Sequence, residues 1–346
     1  LCDWHHAHSG RMVEFAGWEM PIQYASIVEE HTAVRERVGL FDIAHMGRVF
    51  FSGPDAMSLL DHLLTNDVTQ LKSGQVRYSL MCNRAGGILD DVLVYRLDGG
   101  TYMLVVNASN RAKVLNWIEH HMEGYTLSVG DETESQFMLA LQGPRALDLL
   151  QPLTEGNLAT MKYYSVATRL VGGAEAIVSR TGYTGEDGFE VIVPNHAAKS
   201  IWERICEAGK KHGLAACGLG CRDTLRLEAA MPLYGHEMDE TIDPITAGLA
   251  FGVKLRKGDF IGRAAIAAVA NDPQLPRRVG LELTGRRIAR EGSLLYAGDE
   301  QVGRVTSGTF SPTLQKAIAM GYLPPQLATL GTSVDVDIRG KLESAT

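Results

Sequence analysis

The sequence has no apolar run approaching the roughly 18 residues needed to span a bilayer, and its first residues contain no apolar signal core. We therefore expect no membrane contact and a cytoplasmic location, or the mitochondrial matrix if the source is eukaryotic. An excess of positive charge is also missing, since 33 Lys and Arg face 41 Asp and Glu, for a net charge of −8. Phosphate-binding surfaces depend on clustered Lys and Arg, so we expect no nucleic acid partner.

Cysteine pairs are absent as well. The five cysteines form no CxxC motif and are odd in number, which favours free thiols in a reducing compartment. Cys217 and Cys221 lie four residues apart with no histidine at a zinc-like spacing nearby, so small buried side chains are favoured over a metal site.

Four common motifs with a known mechanism are missing too. The sequence contains no GxGxxG, GxxxxGK[ST], GxSxG or HExxH motif. Dinucleotide-binding domains, P-loop nucleotide hydrolases, serine hydrolases and zinc peptidases are therefore not supported.

What the sequence does contain is the composition of a globular protein of two or three modules, with 346 residues, 45% hydrophobic and 21% charged. The spacing of apolar residues predicts helices over Ser26 to Val38, after Pro54-Asp55, over Asn110 to His121 and over Ala197 to His212. Short β-rich runs between Arg77 and Val106 predict an antiparallel meander. After Lys257 strands and turns alternate, which predicts a separate all-β module. The fold class expected is α+β.

Several segments, taken in order, resemble the tetrahydrofolate-dependent aminomethyltransferase family, the T-protein of the glycine cleavage system. They are VEFAGWEMP, HMG, TND, MCNRAGGILDDVLVY, VVNASN, LQGP, RTGYTGEDGFE, RDTLRLEA and VTSGTFSP. Each string alone is weak, but their joint order is specific and spans nearly the whole chain.

The resemblance implies a three-lobed α+β fold around a central folate channel. The expected domains are a discontinuous folate-binding α+β domain (1–46 plus 138–245), an antiparallel-sheet α+β domain carrying the catalytic aspartate (47–137), and a C-terminal barrel or jelly-roll-like domain (246–346). The implied reaction moves the methylene of an aminomethyl group from the lipoyl arm of a carrier protein, the H-protein, to tetrahydrofolate. It gives 5,10-methylenetetrahydrofolate, releases ammonia and uses no metal.

Asp91 is the catalytic candidate, because by resemblance it occupies the family's essential aspartate. The reacting carbon lies between a sulfur and an ammonium, and a fixed carboxylate would lower the barrier to attack by the folate amine. Asp91 could act as general base, position the folate or stabilise the cationic centre. Without the resemblance, the GGILDD segment reads as a hairpin turn followed by an exposed acidic pair, and Asp90 is expected to face solvent on the opposite strand face.

Folate-binding candidates come from the same segments. A carboxylate can accept the adjacent N–H and amino donors of a pterin, which suits Glu190, and the guanidinium of Arg222 can donate to a carbonyl or carboxylate. Tyr183 and Tyr78 could pack on flat rings. By resemblance, further contacts come from Met46, Asn107 and Val105.

Other polar residues of these segments are assigned structural roles. Arg226 is expected to pair on the surface with Asp223 or Glu228. His45 and His236 are expected to be hydrogen-bonded structural residues, since no cluster around them suggests a metal.

Two other functions stay open at this point. One keeps the fold and changes the substrate, giving a folate-dependent demethylase of a methylated small molecule. The other is a non-catalytic folate-binding protein. The GGILDD and RTGYTGEDGFE segments favour glycine cleavage over both.

Overall fold

The computed structural model describes residues 1–346. Its eight α-helices are α1 (Cys2–Ala7), α2 (Ile27–Glu36), α3 (Ala56–Leu63), α4 (Arg111–His121), α5 (Ala146–Leu150), α6 (Ala198–Gly209), α7 (Leu219–Glu228) and α8 (Arg263–Val269). None of these helices has both the length and the apolar composition that crossing a membrane requires.

Nineteen strands lie between and after these helices. They are β1 (Arg11–Phe15), β2 (Trp18–Gln23), β3 (Val38–Asp42), β4 (Gly47–Ser52), β5 (Gln75–Cys82), β6 (Ile88–Arg96), β7 (Tyr102–Val106), β8 (Ser128–Asp131), β9 (Gln136–Gln142), β10 (Val166–Val171), β11 (Ala174–Ser179), β12 (Gly188–Pro194), β13 (Leu214–Cys217), β14 (Arg277–Glu282), β15 (Leu294–Ala297), β16 (Glu300–Ser311), β17 (Lys316–Leu323), β18 (Val334–Asp337) and β19 (Leu342–Ala345).

The chain divides into two compact units. The first contains residues 1–61, 68–78 and 92–225, and the second contains residues 62–67, 79–91 and 226–346. Both units are therefore discontinuous in sequence.

A six-stranded sheet in the order β10-β11-β12-β9-β3-β13 forms the centre of the first unit. Its strands pair antiparallel except β13 with β3, which are parallel. Side chains alternate between the two faces of a strand, and on β12 this places Phe189, Val191 and Val193 in one apolar cluster. Ile192 packs in a different cluster on the opposite face, and Glu190 shares that face. The alternation therefore places a carboxylate on a buried apolar face.

A five-stranded sheet has the order β5-β6-β7-β4-β8 and contains the predicted meander. Leu93 of β6 pairs with Val105 of β7. Val105 and Tyr95 belong to the same buried cluster as Ile192. The residues of these two sheets that belong to the first unit thus share one apolar core.

The helix predicted over Ser26 to Val38 is confirmed at its start and wrong at its end. The Ser26 hydroxyl accepts a hydrogen bond from the Glu29 backbone N–H at 3.2 Å, as an N-cap residue does. The helix ends at Glu36, and Val38 opens β3, where it pairs with Leu214. Val38 has the apolar spacing of a helix, but it lies in a strand because the distant segment around Leu214 supplies its backbone partner.

The second unit contains a six-stranded antiparallel sheet in the order β14-β17-β16-β15-β18-β19. Its two edges meet, because Leu283, just after β14, forms a bridge with Ala345 of β19. Glu282 and Thr346 also exchange two backbone hydrogen bonds, of 2.8 and 3.0 Å. The sheet therefore closes on itself around its own apolar cluster, which confirms the predicted β module from β14 onward. Helix α8 lies between Lys257 and this sheet, so the prediction of strands and turns alone from Lys257 was wrong there.

Candidate active site

Glu190 is a buried carboxylate at the centre of the first unit, with 6% of its surface exposed. It pairs with Ser179 of β11 and with Ala140 of β9, so it lies in the middle of the six-stranded sheet. The Thr181 hydroxyl donates to Glu190 Oε2 at 2.5 Å. Burial raises the pKa of Glu190, while the bond from Thr181 and the charge of Arg222 oppose this shift. A carboxylate in this position is prepared to accept further hydrogen bonds from a ligand.

Arg222 and Tyr183 form a stacked pair beside this carboxylate. The guanidinium carbon of Arg222, on α7, lies 4.8 Å from the centroid of the Tyr183 ring. Burial lowers the pKa of Arg222, and the charge of Glu190 opposes that shift. A negative group, a positive group and an aromatic face are therefore close together, a combination that suits a flat polar heterocycle.

The loop that carries Tyr183 is fixed by its neighbours. Gln142 Nε2 donates to the Thr181 carbonyl at 3.0 Å, and the Thr184 hydroxyl donates to Gln142 Oε1 at 2.8 Å. A Cβ on Gly182 would lie 1.9 Å from Gln142 Oε1, which explains the glycine. Arg35 donates to the Thr184 carbonyl at 2.7 Å. The residues two before and one after Tyr183, Thr181 and Thr184, are thus both fixed by hydrogen bonds.

An apolar surface lies next to the carboxylate. Tyr95 and Val105 are buried in one cluster, and Met46 packs against it. The Tyr95 hydroxyl approaches Ser179 and Thr181 without completing a hydrogen bond, and burial holds its pKa well above the ordinary range. Tyr95 therefore connects two of the predicted residues, Met46 and Val105, to the polar group around Glu190.

His45 differs from the hydrogen-bonded structural residue that the sequence suggested. It is 3% exposed, its ring packs edge-on against Phe15 at 5.5 Å, and its Nδ1 atom has no partner within the protein. Burial, followed by the positive charge of Arg222, lowers the pKa of His45 to about 3. A neutral imidazole with one open nitrogen faces the same positive group as Glu190.

Asp91 lies on β6 in the second unit and is half-buried, whereas Asp90 is fully buried. The expectation that Asp90 faces solvent was therefore wrong. The hairpin tip before it is tightly packed, since a Cβ on Gly87 would lie 1.7 Å from the Glu240 carbonyl oxygen. The Ile88 N–H also donates to the Asp239 carbonyl at 3.0 Å, so residues near 240 cover the start of the strand.

Tyr78 and Asn107 lie on either side of this strand. Tyr78 is half-buried on β5, and Asn107, also half-buried, follows directly after β7. Because β6 is hydrogen-bonded to both β5 and β7, the two residues belong to the strands that flank Asp91.

Arg226 has the structural role expected, but with a different partner and in the interior. Its guanidinium, 2% exposed, lies 2.9 Å from Glu237 Oε2 and donates to the Ser307 hydroxyl at 2.9 Å. His236 is a surface residue, and its Nδ1 lies 3.0 Å from Glu291. Both residues therefore stabilise the second unit.

Sequence reasoning did not single out Thr181, Ser179 and Tyr95. Thr181 lies inside the RTGYTGEDGFE segment and Tyr95 ends the MCNRAGGILDDVLVY segment, so both belong to segments that carry the family resemblance. What was missing was strand pairing, which places Ser179 opposite Glu190.

Comparison with known proteins identifies related families. Residues 1–257 match the family described as the GCVT N-terminal domain, and residues 277–346 match the glycine cleavage T-protein C-terminal barrel domain. The chain is 47% identical over 346 residues to an aminomethyltransferase of Desulfitobacterium hafniense, covering 100% of this chain and 94% of that protein. An aminomethyltransferase of Streptomyces coelicolor is 47% identical over 344 residues, covering 98% and 92%.

One solved structure is similar along almost the whole chain. The glycine cleavage system aminomethyltransferase T from Bartonella henselae matches with a TM-score of 0.92 and 33% sequence identity, covering 99% of this chain and 94% of that one. The expected α+β fold with a β-rich C-terminal module is therefore confirmed.

Proposed function

From the premise that the chain belongs to the glycine cleavage T-protein family and is a tetrahydrofolate-dependent aminomethyltransferase, we propose that Glu190, Arg222 and Tyr183 hold the pterin ring of tetrahydrofolate. The observation that carries this assignment is the buried carboxylate beside a stacked arginine and tyrosine. Few ligands other than a flat heterocycle with adjacent donors and a carbonyl would satisfy all three groups.

Glu190 supplies the recognition of donors. A pterin presents an N–H and an amino group side by side, and the two oxygens of one carboxylate can accept both. In a buried site such bonds are stronger than in water, and they favour the ionised form of a carboxyl group whose pKa burial has raised. Arg222 donates to the pterin carbonyl, and Tyr183 covers one face of the ring.

Two of the other proposed folate contacts are apolar. Met46 and Val105 would contact the ring system, because both belong to the apolar surface around Tyr95. Tyr78 and Asn107 would contact the folate from the strands on either side of β6.

Asp91 is the proposed catalytic residue. It is two residues before Leu93 and four before Tyr95 on the same strand, so all three side chains leave the same strand face. Asp91 is half-buried, so it is not sealed off from solvent as Asp90 is. Beside a carbon that carries an ammonium and a sulfur, the charge of Asp91 would stabilise the cationic centre while the folate amine attacks.

The overall transfer follows from these positions. The lipoylated H-protein presents the aminomethyl group on a thioether sulfur, and the folate nitrogen attacks its carbon. The amino nitrogen leaves as ammonia, the lipoyl sulfur is released as a thiol, and the carbon bridges two folate nitrogens as 5,10-methylenetetrahydrofolate. Of the two protons lost from the folate N–H groups, one goes to the sulfur and the other to solvent.

We also propose that the chain works as three modules, 1–46 with 138–245, 47–137 and 246–346. The large sheets support this division. One uses strands within 38–42 and 136–217, the second strands within 47–131, and the third strands within 277–345.

The decisive experiment combines the purified chain with aminomethylated lipoyl carrier and tetrahydrofolate, and measures ammonia and methylenetetrahydrofolate. Asp91→Asn should abolish turnover while tetrahydrofolate binding persists. Asp98→Asn, an exposed aspartate after the same strand, is the matched control and should retain turnover. Full turnover by Asp91→Asn would remove Asp91 from this role, and folate binding without any transfer by the unaltered chain would indicate a non-catalytic binding protein.

A further inference from the structure

Three side chains with metal-ligating atoms converge on the surface of the first unit, in a cluster formed by Cys2, His6 and Glu19. Cys2 Sγ lies 3.0 Å from Glu19 Oε2, and His6 Nε2 lies 3.0 Å from Glu19 Oε1. All three potential ligand atoms are within 4.8 Å of one another. None of the three residues belongs to the proposed folate site.

The local fold explains why these side chains meet. Cys2 and His6 are four residues apart on α1, so they share one face of the helix. Glu19 lies on β2, which pairs with β1 in a two-stranded sheet that contacts α1. The side chains of His6 and Glu19 are 54% and 53% exposed, so an ion could enter from solvent.

We propose that Cys2, His6 and Glu19 bind one zinc ion, with water in the fourth position. The donor set of one thiolate, one imidazole and one carboxylate suits zinc and disfavours the hard cations magnesium and calcium. Zinc bonds of about 2.3 Å to sulfur and about 2.0–2.2 Å to nitrogen or oxygen put tetrahedral ligands roughly 3.3–3.7 Å apart, so only small side-chain rotations are needed.

Binding has a defined proton balance. The Cys2 thiol now donates to Glu19 Oε2 at 3.0 Å. On binding, the thiol proton goes to solvent, the imidazole coordinates in its neutral form, and Glu19 exchanges its hydrogen bonds for a bond to the metal. The ion would then connect α1 to β2, so zinc should stabilise the N-terminal segment.

A second cluster, of Glu30, Cys217 and Cys221, is a poorer candidate although its ligand atoms are equally close. The Glu30 carboxylate already accepts backbone N–H groups, among them those of Tyr24 at 2.6 Å and Gly218 at 2.8 Å. Cys217 and Cys221 are also buried, 1% and 0% exposed, so this cluster is not open to an ion from solvent as the surface cluster is. This interior cluster is accounted for by its own hydrogen bonds.

The test uses the full chain after removal of bound metal with a chelator, and cobalt(II) as the spectroscopic probe. One equivalent of cobalt should produce a thiolate-to-cobalt charge-transfer band and the visible bands of four-coordinate cobalt. One equivalent of zinc should remove both and raise Tm. Cys2→Ser should abolish the charge-transfer band, and His6→Gln should weaken zinc binding by more than about tenfold, because even indirect partners of a metal account for about 10- to 100-fold.

Two control variants separate this site from other thiols and histidines. Cys206→Ser removes a thiol outside both clusters, and His8→Gln removes an exposed histidine next to the same helix. Both should bind cobalt and zinc as the unaltered chain does. The proposal is overturned if the unaltered chain shows no saturable one-to-one zinc binding, or if Cys2→Ser keeps the cobalt charge-transfer band.

Discussion

The guanidinium of Arg222 stacks on the ring of Tyr183 with 4.8 Å between the guanidinium carbon and the ring centroid. This pair connects two segments that are far apart in sequence, the loop before β12 and helix α7. Glu190 interacts electrostatically with Arg222. The three residues contribute different interactions, a ring face, a cation and an anion, so replacing each should have its own effect on folate binding and on stability.

Replacing Tyr183 tests the stacking role. Tyr183→Ala should weaken tetrahydrofolate binding by about two- to tenfold, since an aromatic contact contributes about 0.5–1.5 kcal/mol beyond the area that it buries. Tyr183→Phe keeps the ring and should bind nearly as well as the unaltered chain. Titration calorimetry with tetrahydrofolate measures both. An equal loss in the two variants would show that the hydroxyl, not the ring, matters.

Replacing Glu190 should lower affinity without lowering stability. Glu190→Gln removes a charge-assisted acceptor worth about 1.5–3 kcal/mol, which corresponds to about 10- to 150-fold weaker tetrahydrofolate binding. Because burial raises the pKa of Glu190 in the folded state, the ionised form opposes folding above its unfolded pKa of about 4.5. The glutamine variant should therefore unfold at an equal or higher temperature near neutral pH.

The pH dependence supplies the control for this variant. At low pH, where Glu190 is protonated in both the folded and unfolded states, the two proteins should have the same stability. The stability difference should grow as the pH rises through the raised pKa. Thermal unfolding at several pH values measures it, and a glutamine variant that is much less stable at neutral pH would contradict the assignment.

His45 should remain neutral where most histidines titrate. Burial lowers its pKa to about 3 from an ordinary value of 6.5. Below about pH 6.5 the His45 ring is therefore protonated in the unfolded state but stays neutral in the folded state. The free energy of unfolding is unaffected by this difference above about pH 6.5 and decreases as the pH falls below it. The slope from this one group is at most about 1.4 kcal/mol per pH unit.

His45→Gln isolates that contribution from the other histidines. Urea unfolding of both proteins at about pH 7.5 and about pH 5.5 should show a shallower loss of stability in the variant. Proton chemical shifts of the His45 ring should stay constant over the same range. A ring that titrates near pH 6.5 would contradict a neutral buried imidazole.

Local patterns predicted the elements whose hydrogen bonds are local. Helix α4 occupies Arg111–His121, inside the predicted span, because its apolar spacing and its backbone bonds lie within the same residues. The end of α2 was wrong because Val38 pairs with Leu214, far along the chain. The spacing of apolar residues along a short stretch of sequence does not show which distant segment a strand will pair with.

The same limit applies to the candidate site. The acidic pair after Gly87 suggested a solvated turn, but Asp90 is buried because residues near Asp239 bond to the start of β6. The motif strings identified Glu190 and Tyr183, whereas the hydroxyl of Thr181 acquired a role only through its bond to Glu190. Sequence patterns indicated residue types, and tertiary contacts decided burial and partners.

The buried ion pair of the second unit gives the last prediction. Arg226 contacts Glu237, whose side chain is 0% exposed, at 2.9 Å. The Glu237 carboxylate also accepts from the Thr306 hydroxyl at 2.6 Å and the Leu233 N–H at 2.9 Å. Arg226→Met leaves a buried charge without its cation, so we expect a loss of about 3–5 kcal/mol in the free energy of unfolding, measured by urea denaturation.

Two further variants show whether the uncompensated charge is the cause. The double variant Arg226→Met with Glu237→Gln has no buried charge and should recover a large part of the loss. The oxygen of the new amide can accept from the Leu233 N–H, while its NH2 group donates to the Thr306 hydroxyl, which can also act as an acceptor. Lys316→Met breaks an exposed ion pair with Glu282, whose side chains are 54% and 52% exposed, and should cost less than about 1 kcal/mol. If the double variant were no more stable than Arg226→Met, the loss would come from packing of the arginine side chain and not from the charge left on Glu237.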